Sequence, residues 1–181
     1  MRTKKLTAFA LLCAVALVLG FLESMIPAFS VVPGGKIGFA NIVTMMVFCL
    51  YSLPEALLFG VLRSLLSAVL YSGATAFFYS AAGSCLCVLS MWLFQKILNR
   101  HVSEIGLSII GAVFFNIGQL AVASAVLESI QIFRYFPALG IISAFAGAVT
   151  GYVAKSLMMY INRKNLQNIE ITGNGENKLW K

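Results

Sequence analysis

Aspartate is absent from this sequence, and charge of either sign is scarce. All six acids are glutamates, Glu23, Glu55, Glu104, Glu128, Glu170 and Glu176, spread along 181 residues. Magnesium is held through carboxylate oxygens, so chemistry that gathers carboxylates around a metal-bound diphosphate has little to work with here. A single histidine, His101, cannot complete a zinc site. No Gly-rich loop ending in Lys-Ser or Lys-Thr occurs, which excludes nucleotide hydrolysis by that route. The four cysteines, Cys13, Cys49, Cys85 and Cys87, lie inside apolar stretches and suggest no disulfide framework; they read as small buried residues. The expectation is a protein that is not an enzyme and needs no metal or cofactor.

What the sequence does have is apolar length. Hydrophobic residues make up 60% of the chain and charged residues 10%, with a mean hydropathy of +0.93. Soluble domains carry about 25% charged residues, so lipid is the solvent this chain is written for. The net charge of +7 does not point to nucleic acid, because the cations form no basic stripe and gather at the ends of apolar segments. Six segments have the length and composition to span a bilayer: residues 6–26, 37–53, 54–71, 74–97, 105–127 and 135–161. This predicts an all-α bundle of six transmembrane helices as a single domain over 1–161, followed by a polar tail over 162–181 that reads as disordered or weakly helical.

Orientation follows from the basic residues. Arg2, Lys4, Lys5, Lys96, Arg100, Lys155, Arg163, Lys164, Lys178 and Lys181 fall on one side of such a bundle, and only Lys36 and Arg134 on the other. The positive-inside rule then puts both termini in the cytoplasm of a multi-pass protein of a bacterial cell membrane. The first span is too long for a signal-peptide core, and its small-x-small triplets, Ala8-Phe9-Ala10 and Ala14-Val15-Ala16, lie within the apolar run, so no cleavage site stands out before Glu23. Ser52-Leu53-Pro54-Glu55 reads as a capping box opening the third helix, with Pro54 in the first turn, where its missing N–H is harmless.

Arg63 breaks the pattern. It sits nine residues into the third segment, near mid-bilayer, where a cation costs about 2.5–3.5 kcal/mol even on a lenient scale. Asn116 lies at similar depth in the fifth segment, and Gln119 shares its face one turn further out. Asn41, Glu23 and Ser67 fall toward the outer side, and Lys36 lies in the first outer loop within Pro33-Gly34-Gly35-Lys36. Together they describe a polar column from the outer surface to mid-membrane. Asn and Gln can act as interhelical glue, and Asn41 alone reads equally well as glue or as a ligand contact. Arg is a costly glue, which favours a ligand site for Arg63 with Asn116 and Gln119.

Four strings carry a family resemblance: Glu23-Ser24-Met25-Ile26-Pro27, Pro33-Gly34-Gly35-Lys36-Ile37-Gly38-Phe39-Ala40-Asn41-Ile42, Leu62-Arg63-Ser64-Leu65-Leu66 and Asn116-Ile117-Gly118-Gln119. They resemble the Gx transporter family, whose members are often labelled heptaprenyl diphosphate synthase component I. The resemblance implies a fold similar to the substrate-binding S components of energy-coupling factor transporters, six helices around an outward-facing pocket. It also implies a transmembrane coupling subunit and two ATPases as partners. In S components a small-x-x-x-small stripe on the first helix packs on the coupling subunit; Ala10-x-x-x-Ala14 and Ala16-x-x-x-Gly20 match that pattern. The leading expectation is a subunit that captures a small molecule from outside for uptake. The alternative is a non-transporting membrane accessory in isoprenoid, quinone or flavin-redox metabolism.

Overall fold

The structure is a computed structural model and describes residues 2–25, 39–98 and 102–172. Among these residues all regular structure is helical. The helices are α1 (Arg2–Ser24), α2 (Phe39–Leu50), α3 (Leu53–Ser67), α4 (Ala74–Ile97), α5 (Glu104–Val126) and α6 (Phe136–Thr172). A π-helical turn, Ala68–Ser72, prolongs α3, and a 3₁₀ turn, Ile130–Tyr135, leads into α6. Helix is what a bilayer demands, since it satisfies every backbone N–H and C=O within its own segment.

Five helices are long and apolar enough to cross a membrane: Lys5–Ser24, Leu53–Ser72, Ala74–Ile97, Glu104–Val126 and Phe136–Tyr160. The sixth is shorter than expected. α2 has 12 residues, and at 1.5 Å per residue it measures about 18 Å against a hydrocarbon core of about 30 Å. Its surroundings show why it tolerates this. Every residue from Val43 to Phe48 is buried, so α2 is wrapped by α1, α3 and α6 and meets protein where the other helices meet lipid. A helix apolar on all sides belongs in such a position. At the other extreme, α6 runs past residue 161 to Thr172, so the expected domain boundary is not a break in the helix.

The chain runs up and down. Tyr51, in the α2–α3 turn, donates its hydroxyl to the Lys5 carbonyl of α1 at 3.4 Å. Glu104, at the start of α5, lies close enough to Cys49 at the end of α2 to act on it electrostatically. Gly151 of α6 packs on Ile105 of α5. The start of α1, the α2–α3 turn, the start of α5 and the second half of α6 therefore share one end of the bundle. Local chemistry fixes the boundaries there. The Ser52 backbone N–H and hydroxyl donate to Glu55 Oε2 at 2.9 and 2.8 Å, as the capping box requires. Ser103 Oγ accepts the Gly106 N–H at 3.1 Å to open α5. Lys96, in the last turn of α4, lies 5.2 Å over the Trp92 ring.

Packing is inverted relative to a soluble protein. Large apolar side chains face outward, with Ile141 and Phe145 each 75% exposed, while Ser64, Ser84, Ser108, Asn116 and Thr150 are buried. Small residues let the helices close without a hydrophobic drive between them. A Cβ on Gly118 of α5 would lie 2.8 Å from the Ala82 carbonyl and the Gly83 Cα of α4. A Cβ on Gly147 of α6 would lie 2.7 Å from the Ile109 Cα. The α4–α5–α6 side is thus in backbone contact, pinned by a Ser108–Thr150 hydroxyl pair at 2.9 Å. α1 packs mainly on α2 and α3.

Candidate functional site

At the end of the bundle opposite the N-terminus, five helices converge on a cavity. It is lined by Gly20 and Glu23 of α1, Ala40 and Asn41 of α2, Arg63 and Ser67 of α3, Tyr71 of the π-helical turn, Ser80 of α4 and Phe115 of α5. Its free space for the centres of water-sized molecules is about 20 Å³. One buried water needs roughly 10–15 Å³ on that measure, so the cavity has room for a water or two.

Arg63 is its chemical centre. The residue is 8% exposed, and its Nη2 donates to Ser84 Oγ at 3.1 Å. Its Nε–H is buried and has no hydrogen-bond partner among the described residues. A guanidinium carries five N–H donors in a fixed fork and no acceptor, so an unmatched Nε–H is an open demand for an oxygen or nitrogen lone pair. Gly60, one turn earlier, explains how Ser84 comes within reach. A Cβ there would lie 2.8 Å from the Ser84 Cβ, so its absence lets α3 and α4 approach.

The charges around Arg63 are mixed. Glu23 and Tyr71 lie close enough to interact with the guanidinium electrostatically, as do the buried thiols of Cys13 and Cys87. Ala40 and Asn41 belong to the first turn of α2, the electropositive end of a helix. Among the described lining groups there is one formal cation and one carboxylate, with serine and tyrosine hydroxyls and one amide between them. Such a surface suits a polar group that accepts hydrogen bonds from Arg63. It has no grouping of carboxylates with which to hold a metal–diphosphate complex.

Four of the residues singled out from sequence, Glu23, Asn41, Arg63 and Ser67, line this one cavity. Two do not. Asn116 and Gln119 are buried in α5, but Phe115 is the residue that α5 presents to the cavity. Gln119 Nε2 is itself buried without a partner among the described residues. Lys36 lies outside the described residues. Sequence reasoning missed Tyr71, Ser80, Ser84 and Phe115. A signal for two of them existed: Ser80 and Ser84 are one turn apart on one face of α4.

The small-residue stripes of α1 separate cleanly. Ala10 and Ala14 are exposed on its outer face. Ala16 is 1% exposed and Gly20 is buried, the latter beside Tyr71 and Ala40. Ala16 and Gly20 therefore serve contacts within the bundle, which corrects their expected place at a partner interface. The physical reason is periodicity. A six-residue offset is about 600° of helical turn, so the second stripe lies about a third of a turn round α1 from the first and faces different neighbours.

The arrangement defines a class: a polytopic helical membrane protein with a small polar cavity built around a buried arginine. Residues 12–157 match the family described as heptaprenyl diphosphate synthase component I, and the chain belongs to that family. The name describes one component of a synthase. Compared with curated proteins and with solved structures, the chain has no match in either.

Proposed function

We infer that this protein is a non-catalytic capture subunit of the cell membrane, which receives the polar part of a small molecule at Arg63. The reading has it act in uptake, as S components do, with both termini in the cytoplasm and the cavity toward the outside. The observation that carries it is the Arg63 Nε–H, buried at a polar cavity and without an acceptor among the described residues. Burying a cation in a bilayer costs several times what the amide and hydroxyl contacts of ordinary helix packing return. A purely structural arginine would therefore be expected to satisfy its donors. A ligand bearing a carbonyl, carboxylate or phosphate oxygen would complete them.

The test is mass spectrometry of small molecules that survive purification from membranes. A species present in stoichiometric amount with the native chain should be depleted in Arg63→Lys, because lysine cannot reproduce the planar fork of donors. Equal retention by both proteins would remove Arg63 from the site. Orientation is tested separately with single cysteines at Ile130 and Ser52, both exposed and at opposite ends. An impermeant thiol reagent applied to intact cells should modify the first and spare the second.

A second reading is favoured by the family match alone: a membrane accessory that binds an isoprenoid or related lipid for a synthase and transports nothing. Pull-down of the full chain separates the two. Recovery of a coupling subunit with ATPases supports uptake, for which the exposed Ala10 and Ala14 face is the expected contact. Recovery of a soluble prenyl synthase supports the accessory role.

A further inference from the structure

A cavity with about 20 Å³ of room takes a water or two, so burying a larger group against Arg63 needs a wall to move. Most of the lining is unsuited to moving. Arg63 is tied to Ser84, and Phe115 lies where α4 and α5 are in backbone contact, since a Cβ on Gly83 would sit 2.9 Å from the Phe115 carbonyl. Tyr71 differs in three respects.

Its backbone is not α-helical. The turn Ala68–Ser72 is π-helical, and the Gly73 N–H closes it on the Ala68 carbonyl at 3.0 Å. A turn of this kind closed on a glycine is a common way for a helix to end. Gly73 itself has φ +81°, a conformation that side-chain-bearing residues rarely adopt, and nothing lies within 4 Å of where its Cβ would be. The segment therefore ends on a glycine with open space beside it.

Its ring spans a gap between helices. A Cβ on Gly20 of α1 would lie 2.5 Å from Tyr71 Oη, so the phenol fits only because residue 20 has no side chain. The ring meets Phe21 edge-on at 5.6 Å between centroids and comes within reach of the Ser67 hydroxyl. Finally, Val69 and Leu70 of the same turn are 76% and 64% exposed, so the turn that carries Tyr71 lies at the rim of the bundle.

We propose that Tyr71 sets the size limit of the Arg63 cavity: against Gly20 its ring leaves space for water or a single small acceptor group, and anything larger enters only when the ring leaves. The proposal rests on the reading that the Arg63 cavity takes a ligand. Its test uses no ligand, so the two fail separately.

The probe is a small anionic methanethiosulfonate reagent applied to the full chain in lipid nanodiscs. Ser80→Cys places a thiol in the cavity wall, and its modification is read at residue 80 by tandem mass spectrometry with the native cysteines left in place. Tyr71→Ala should speed that reaction by about tenfold, corresponding to a shift of about 1.4 kcal/mol in an opening equilibrium. Tyr71→Phe, which keeps the ring, should leave the rate close to that of the native background. Equal rates in the Ala and native backgrounds overturn the proposal, as does a Phe variant as fast as the Ala variant. Ser90, buried in α4 and absent from the cavity wall, supplies the control as Ser90→Cys and should stay unreactive. If Ser90→Cys reacts faster in the Tyr71→Ala background, the bundle has loosened and Gly20→Ala decides instead. Its added methyl should displace the Tyr71 ring and speed Ser80→Cys alone, and an unchanged rate there overturns the proposal.

Discussion

The two halves of this bundle use polar residues for opposite ends. On the α4–α5–α6 side, glycines bring backbones into contact, and the buried hydroxyls are matched: Ser108 pairs with Thr150, and Thr150 also donates to the Gly147 carbonyl at 3.0 Å. On the α1–α3 side, the helices surround a cavity, and the costliest buried group, Arg63, keeps a donor unmatched among the described residues. Both halves face the same solvent rule, that polar groups in hydrocarbon need partners. One half meets it for its hydroxyls, with Gln119 Nε2 the exception. The other leaves the donor of a buried cation unmatched among the described residues.

That contrast can be broken most forcefully at the tight side. Gly118→Ala puts a methyl into the Ala82 and Gly83 backbone, which cannot yield as a flexible side chain would. It should lower stability by about 1–3 kcal/mol, read as melting temperature in detergent, with ligand retention per folded molecule unchanged. A loss of retention with native stability would show that the tight side also serves the site.

Arg63→Lys is the mirror experiment and should give the mirror result. Retention of the co-purified ligand should fall by about tenfold, or about 1.4 kcal/mol, with a smaller change in melting than Gly118→Ala causes. A depressed melting temperature with retention spared would make Arg63 part of the same internal glue as Ser108, and the contrast between the halves would disappear.

The smallest effect belongs to Ser108→Ala. The substitution removes one interhelical hydrogen bond yet leaves Thr150 bonded to the Gly147 carbonyl. The expected loss is about 0.6 kcal/mol, the average for such bonds in membrane bundles, with no change in retention. A loss well above the known maximum of about 1.7 kcal/mol would mean that the pair holds α6 in place and is more than one contact among many.

The sequence was most legible where the bilayer acts as solvent. Residues 74–97 were read as one helix and are one helix, because helix length there is set by hydrocarbon thickness and bounded by Gly73 and the basic Lys96. The Ser52–Glu55 cap was equally plain, since all its partners lie within four residues. The sequence predicts α2 to run to residue 53, and the helix ends at Leu50, because an apolar segment buried in protein and one bathed in lipid have the same composition. The tail beyond residue 161 looked poor in structure because it lacks apolar periodicity, yet a helix already nucleated by α6 continues at little cost.

For the site, the chain alone determined that Arg63 is buried and that Glu23, Asn41 and Ser67 lie toward the same end, because depth in a membrane helix is residue count times rise. Which side chains meet was decided by tertiary structure. Depth carries no information about helix rotation, and rotation is fixed by where glycines permit contact. Gly60 brings Ser84 to Arg63, Gly20 admits the Tyr71 ring, and the Gly83–Gly118 crossing turns Phe115 toward the cavity in place of Asn116 and Gln119. These are relations between helices far apart in sequence, set by packing, and no single helix contains them.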